Sequence, residues 1–325
     1  MSVMNNDTFF DKELEKWPMA ADNFARIRNS FIDGHRLTLS GDGSLWRIDK
    51  MFVNHRRASV TAKTDPSSIS SRPCFLCRDN RPNLQTSIGF LGRYEILVNP
   101  YPLADRHFTI ASTRHEEQCI DAEFSRILDM AQLAYEMSGM CIFYNGARCG
   151  ASAPDHFHFQ AVSTEAVPNI LSKDLLGDKI KYSNHASLYK NNEKTAPYPF
   201  FIIESTGNPE LHSVFRLLWA ELKAINPDLP EPDVNLAMIH DTERNITRSI
   251  VIPRSKHRPD CYYLEKDRLL ISPATVEMLG TIICSRHEDF DRLTLQSAYG
   301  ILKEVGISDT QFSLVVSRLA NGRYS

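Results

Sequence analysis

Two apolar periods alternate along the chain. In the stretch DNFARIRNSF, Phe24, Ile27 and Phe31 recur at helical spacing and predict an amphipathic helix. Two short strands are predicted next, in LTLS and SLWRI, around a Gly41-Asp42-Gly43 turn. Residues 55–83 are rich in Pro, Ser and Arg and predict a long irregular loop, a feature that is usually functional. The segments YEILVN and HFTIAS, separated by PYPLADR, predict an antiparallel strand pair. Ile120, Phe124, Ile127, Leu128, Ala131, Ala134 and Tyr135 follow at three-to-four spacing and predict a second amphipathic helix, after which CIFYN and HFHFQ return as strands. The plan then recurs: FFIIES as a strand, PELHSVFRLLWAELKAI as a helix, PDLPEPDV as an acidic linker, and NLAMIH with ITRSIVIP as a strand pair. Residues 184–198 are polar with little periodicity and predict an exposed connection, which divides the chain into halves at 1–198 and 199–325. The expected class is α+β, a mostly antiparallel sheet with helices packed on one face. T-I-A-S-T-R-H at 109–115 and I-V-I-P-R-S-K-H at 250–257 end their strands alike, a trace of internal duplication.

The chemistry concentrates between Asn145 and Gln160, in NGARCGASAPDHFHFQ. With Phe157 and Phe159 alternating against polar neighbours, a strand here presents His156, His158 and Gln160 on one face, about 7 Å apart in succession. The Gly, Ala and Ser before them let backbone N–H groups approach an anion without interference from Cβ atoms. A neutral imidazole beside such a cradle can attack phosphorus and form a covalent intermediate, and His158 is read as that nucleophile. An isolated H-x-H is more often an ordinary core or surface pair. The opening of a cupin-type metal motif also fits Gly150 and His156-x-His158, but its glutamate is missing, Glu165 lying too far on. Arg56 and Arg57 are candidate phosphate contacts, since guanidinium forks suit phosphate oxygens; a solvated surface pair is the alternative. Cys74 and Cys77 have a spacing that suits tetrahedral zinc. The same C-x-x-C serves redox chemistry when it opens a helix after a strand, whereas here it sits in the Arg and Pro-rich loop, which favours zinc.

Asn145, Gly146, Ala147, Gly150, Ser152, Pro154, His156, His158 and Gln160 resemble the active-site segment of galactose-1-phosphate uridylyltransferases, nine matching positions in a sixteen-residue window. Related segments occur in diadenosine tetraphosphate phosphorylases and GDP-hexose phosphorylases, the branch of the histidine-triad superfamily in which Gln replaces the third His. PATVEMLGTIICSRHEDFD is similar to the C-terminal region of the GDP-hexose phosphorylases. The resemblance implies duplicated histidine-triad-like halves, of which only the first carries H-x-H-x-Q. It implies a nucleotidyltransferase or phosphorylase acting on a nucleotide sugar or dinucleoside polyphosphate, with the nucleotidyl group carried on His158 beside Gln160. The acceptor would be inorganic phosphate or a hexose-1-phosphate. By the same resemblance Asn99 contributes to nucleoside binding and Asn145, Gly146, Gly150 and Ser152 to substrate and phosphate binding, where Arg57 is the candidate that guanidinium chemistry adds. His115 and His156 would complete a structural Zn2+ site with Cys74 and Cys77, His107 being the rival third ligand. The uridylyltransferases are dimers, which makes a homodimer an expectation. A hydrolase of the same superfamily and a non-enzymatic, zinc-stabilised nucleotide-binding module are the other two readings.

Composition narrows this little further. With 325 residues, 42% hydrophobic and 24% charged, the chain is ordinary for a globular protein that buries a sizeable core. A net charge of −3 offers no basic stripe for nucleic acid, so a small molecule is the expected partner. No apolar run approaches the roughly 20 residues that span a bilayer, and the acidic start MSVMNNDTFFDKELEKW is unlike a secretory leader, so a cytoplasmic location is expected. Seven cysteines do not read as a disulfide framework, and Cys119, Cys141, Cys149, Cys261 and Cys284 are expected to pack as small apolar residues, Cys149 being the candidate exception because it lies in the Gly-rich phosphate-loop segment.

Overall fold

A computed structural model describes residues 6–39, 45–63 and 65–321. The predicted Gly41-Asp42-Gly43 turn lies outside the described residues. Helices α1 (Asn6–Lys16) and α2 (Pro18–Asn29) open the chain, with Pro18 in the first turn of α2, where its missing N–H costs no helical bond. Phe10 and Phe24 bury their rings edge to face, 4.8 Å between centroids. Phe31 lies beyond α2 and is 52% exposed, so the apolar stripe expected over residues 24–31 ends at Ile27.

Strands β1 (Arg36–Leu39) and β2 (Ile48–Phe52) pair antiparallel, as the sequence predicts. Among the described residues, the loop that follows contains only the short helices α3 (Arg57–Val60) and α4 (Pro66–Ser70) and two single turns. Next come β3 (Ile88–Phe90), β4 (Tyr94–Val98), β5 (His107–Ser112), α5 (Arg126–Glu136), β6 (Met140–Asn145) and β7 (His158–Ser163). A second run comprises β8 (Leu176–Tyr182), β9 (Ala186–Asn191), β10 (Phe201–Ser205), α6 (Asn208–Lys223), β11 (Val234–Asp241) and β12 (Ile246–Pro253). The chain ends through α7 (Thr275–Met278), β13 (Thr281–Cys284), α8 (His287–Arg292), α9 (Leu295–Val305) and α10 (Asp309–Asn321). Among the described residues no helix is long and apolar enough to cross a membrane.

The strands β3 to β12 form one ten-stranded sheet in the order β3-β4-β5-β7-β6-β11-β12-β10-β9-β8. From either edge inward, each set of strands runs first, second, third, fifth, fourth, and each has its helix between the third and fourth. The two sets meet at the centre, where β6 and β11 pair antiparallel with Asn145 opposite Asn235. The duplication is thus visible as a repeated strand order, but the two alike strand ends are not its equivalent parts. Residues 109–112 are on β5, a third strand, and 250–253 on β12, a fifth strand. Residues 184–198 also depart from expectation: β9 lies within them, paired with both β8 and β10. The alternation of Ala186 and Leu188 into the core is too short to stand out in a polar stretch. Because β8 and β9 precede residue 198, the strand-order repeat groups them with the C-terminal strands.

One face of the sheet packs under α5, α6 and α10, with Phe157, Phe159, Ile127, Phe215 and Val315 in a common core. The stripe predicted from Ile120 is α-helical only from Arg126, after a 3-10 turn at Asp121–Glu123, and Tyr135 is 59% exposed, turned edge-on to His240. The opposite face is covered by the small sheet β1-β2-β13 and by α9, joining Phe143 and Val162 to Trp46, Ile282 and Ile301. Every second residue of β7 therefore feeds one core while its neighbours face the other side. Phe159 is fully buried at the centre of the first core. Phe159→Ala is expected to lower unfolding stability by about 3–5 kcal/mol in denaturant titration; a loss below about 1 kcal/mol would contradict this packing.

Candidate functional site

Three segments far apart in the chain converge ahead of β7. Cys74 and Cys77 come from the irregular loop, His115 from just beyond β5 and His156 from the turn before β7; their ligand atoms all lie within 4.8 Å of one another. Cys74 Sγ is 3.3 Å from His156 Nδ1, and Cys77 Sγ is 3.3 Å from His115 Nδ1 and 3.6 Å from His156 Nδ1. A tetrahedral ion bonded at about 2.3 Å to sulfur and about 2.0 Å to nitrogen sets those atoms about 3.5 Å apart, so the group fits a metal of that kind. The Nε2–H of His156 donates to the Ser112 carbonyl at 2.9 Å, which leaves Nδ1 free to coordinate, the usual outer bond of a ligating imidazole. His107, the rival ligand, is not in the group.

β7 starts at His158, so His156 does not stand on the strand with His158 and Gln160. Its ring turns to the thiols instead, and its backbone carbonyl accepts a hydrogen bond from His158 Nδ1 at 2.8 Å. A carbonyl can only accept, so this contact assigns the proton to Nδ1 and leaves the Nε2 lone pair uncommitted. Burial pushes the His158 pKa down to about 4, and the ring is neutral near pH 7.

Gln118, fully buried, holds the place where β6 and β7 part. Its side chain donates to the carbonyls of Asn145 and His158 at 2.9 and 3.0 Å and accepts from the His158 N–H at 2.8 Å. Nothing in the polar run around Gln118 marks it in the sequence. Gln160 is oriented in a similar way: Leu103 N–H donates to His107 Nδ1 at 3.2 Å, so Nε2 carries the proton and donates to Gln160 Oε1 at 2.9 Å. The Gln160 NH2 group is thereby left for another partner. Burial, with Arg56 nearby, lowers the His107 pKa to about 3.

The Gly-rich segment is set by both halves of the chain. Asn145 Oδ1 accepts from Asn235 Nδ2 at 2.9 Å and from the N–H and hydroxyl of Thr275 at 3.0 and 2.6 Å, which turns its NH2 group away from them. Gly150 has φ +99, and a Cβ there would come within 2.6 Å of Ala274 Cβ, so only glycine fits. Gly146 N–H donates to the Val234 carbonyl at 3.1 Å. Asn99 donates to Thr109 Oγ1 at 3.0 Å and accepts from Tyr101 N–H at 2.9 Å.

Two cavities meet at Arg56 and Ser152. The larger, of about 680 Å³, is lined by Trp17, Phe75, Leu97, Asn99, Tyr101 and Thr109. The smaller, of about 50 Å³, is lined by Asn145, Gly150, Gln160, His257 and Glu277 among others. Of the two neighbouring arginines, Arg56 lines both cavities, whereas Arg57 is exposed at the start of α3 and lines neither.

A family model described as "Domain of unknown function (DUF4922)" matches residues 9–163. No curated protein matches the chain. Among solved structures, yeast Ap4A phosphorylase in complex with Ap4A is similar with a TM-score of 0.55 and 14% identity, covering 89% of this chain and 96% of that one. The same yeast enzyme in complex with AMP gives 0.54 and 13%, with 89% and 96% covered. A uridylyltransferase gives 0.37 and 8%, covering 76% and 91%. The likeness to the phosphorylase is one of fold, and it spans most of the chain.

Two predictions come from this geometry. Cys77→Ser, or chelation of the purified protein, is expected to lower the melting temperature by at least about 5 °C; an unchanged melting curve would remove the metal from the account. For His107, a folded pKa of about 3 lies below the ordinary value of 6.5, so the unfolded chain binds the extra proton and stability falls as pH drops from about 6.5 toward 3. His107→Gln should therefore flatten the stability curve between pH 6 and 4 by up to about 1.4 kcal/mol per pH unit, and equal slopes in both proteins would contradict it.

Proposed function

We propose that this protein is a nucleotidyltransferase or phosphorylase that takes a nucleotidyl group from a nucleotide sugar or dinucleoside polyphosphate and carries it on His158. The observation that supports this best is the His156 carbonyl 2.8 Å from His158 Nδ1, because it leaves a neutral imidazole with its lone pair on Nε2. In the first step Nε2 attacks the α-phosphorus, a P–N bond forms, and the P–O bond to the distal phosphate or sugar phosphate breaks with its electron pair going to the leaving oxygen. The positive charge that develops on the ring is held by the Nδ1–H bond to the His156 carbonyl. Backbone N–H groups of residues 150–153, the Ser152 hydroxyl and the amides of Asn145 and Gln160 are the donors for the non-bridging oxygens.

Gln160 neither gives nor takes a proton near neutral pH, so it orients the phosphoryl group without activating water. That favours transfer to phosphate or a sugar phosphate over hydrolysis. The aromatic cleft of Trp17, Phe75 and Tyr101, with Asn99 on its wall, suits the nucleoside. Zn2+ held by Cys74, Cys77, His115 and His156 would have four protein ligands and no open position, a structural ion that pins the start of β7.

Intact mass after brief incubation with UDP-glucose, GDP-glucose, ADP-glucose or diadenosine tetraphosphate, without acceptor, tests the reading. One donor is expected to add a single nucleoside monophosphate to the native protein and nothing to His158→Ala, whose turnover should fall at least about a thousandfold. Free nucleotide released with no adduct, or an adduct that survives in His158→Ala, would sink it.

A further inference from the structure

The acidic linker before β11 sends one carboxylate into the interior. Glu231 is 6% exposed, and its two oxygens accept from neutral donors: Oε2 from the Ile120 N–H at 2.8 Å and Oε1 from the Tyr144 hydroxyl at 2.6 Å. Gly146 passes against the same carboxylate, for a Cβ there would come within 3.4 Å of Glu231 Oε1 and 3.0 Å of the Val234 carbonyl. These contacts surround the place where β6 and β7 part. Ile120 stands two residues beyond Gln118, whose amide bonds the Asn145 carbonyl and both backbone groups of His158, and whose N–H donates to the Pro154 carbonyl at 3.0 Å. Tyr144 is the residue before Asn145. Its ring is stacked on that of Phe157, the residue before His158, with 5.8 Å between centroids. A side chain from the half without the histidine motif thus ties together both flanks of the Gln118 clamp.

That tie depends on charge. A carboxylate accepts from both donors at once, whereas a carboxylic acid carries a proton on one of its oxygens. On Oε2 the proton would face the Ile120 N–H, and on Oε1 it would turn the Tyr144 hydroxyl away; either leaves a buried donor unsatisfied. The cations nearby are engaged elsewhere. Lys223 of α6 donates to Asp121, Arg126 of α5 to Glu116 at 2.9 Å, and Arg148 lies 3.3 Å from Asp233. Arg254, just past β12, gives its N–H groups to carbonyls and to the Asn235 side chain. The thiols of Cys119 and Cys149 are pushed up by burial and stay neutral. Burial, with Asp121 and Asp233 close by, raises the Glu231 pKa to about 7 against the pull of the Tyr144 and Ile120 bonds, so both forms are populated near neutral pH.

We propose that Glu231 is a positioning residue for His158: its ionised carboxylate holds the Ile120 and Tyr144 flanks together, which keeps the Gln118 clamp on the His158 backbone and the imidazole aimed at phosphorus. The inference rests on the nucleotidyl-His158 reading. Glu231 touches no reacting atom and acts through Gln118 and the end of β6. Donor binding is therefore nearly the same in its two states, while attack on the α-phosphorus runs at full rate only when Glu231 is ionised. The first step speeds up as the pH rises through the titration of this carboxyl.

The test is the single-turnover rate of adduct formation in the metal-loaded protein between about pH 5.5 and 8.5, with whichever of UDP-glucose, GDP-glucose, ADP-glucose and diadenosine tetraphosphate forms the adduct. At saturating donor the native rate is expected to rise at least about tenfold, with its midpoint near pH 7. Glu231→Gln keeps the shape but accepts through one oxygen only. It should hold the native low-pH rate throughout, at least about tenfold below native at pH 8.5, with the half-saturating donor concentration within about threefold of native. Tyr144→Phe removes a bond to the ionised form and should move the midpoint upward. Parallel pH profiles in native and Glu231→Gln protein, or a loss in Glu231→Gln that lies wholly in weaker donor binding, overturn the proposal and leave the covalent histidine standing. If Glu231→Gln does not fold, Tyr144→Phe decides alone, and an unmoved midpoint overturns the proposal. If the native protein forms no adduct with any of the four donors, the reading of His158 fails, and this inference with it.

Discussion

His156 faces two ways, and the rest of the site depends on it. Its ring nitrogen meets the two thiols and the His115 ring, while its backbone carbonyl accepts the Nδ1–H of His158. A metal gripping that ring would fix the carbonyl as well, since ring and carbonyl belong to one short turn. The tautomer of the neighbouring imidazole then follows from a structural contact and not from a catalytic partner. On the proposed mechanism His158 needs no general base: burial keeps it neutral, and the carbonyl selects which nitrogen carries the lone pair.

The second half of the chain has no H-x-H-x-Q, yet it builds much of the wall. At the β6–β11 seam, Asn235 and Thr275 fix the Asn145 amide, Ala274 packs where a side chain at residue 150 would stand, and Arg254 clamps the backbone that presents His257. A duplicated fold allows this division, because the two sets of strands join through their fourth members and bring corresponding ends of the sheet together. On the proposed mechanism one copy holds the reacting imidazole, and the other helps to shape the site around it.

What could be seen in the sequence was local. The alternation of Phe157 and Phe159 against His158 and Gln160 and the Cys74-x-x-Cys77 spacing are each set within a few residues, and the structure brings the two thiols to His156, just ahead of that strand. The contacts that orient them are not local. Gln118 lies 40 residues from His158, Asn235 lies 90 from Asn145, and Thr275 lies 130 from it, and no spacing rule connects such partners. His107 was visible as a strand histidine, but its bond to Gln160 comes from the β5–β7 pairing. Short apolar alternation misled in the opposite sense: β9 is too brief to stand out, and Phe31 and Tyr135 keep helical spacing after the helix or its buried face has ended.

The most direct measurement is the long-range proton–nitrogen correlation spectrum of the histidine rings in the metal-loaded protein at neutral pH, with His158→Gln used to assign the signal. The account predicts a neutral His158 ring protonated on Nδ1, with Nε2 bare. A ring protonated on Nε2, or a doubly protonated imidazolium, would contradict it, because no lone pair would then face the phosphorus.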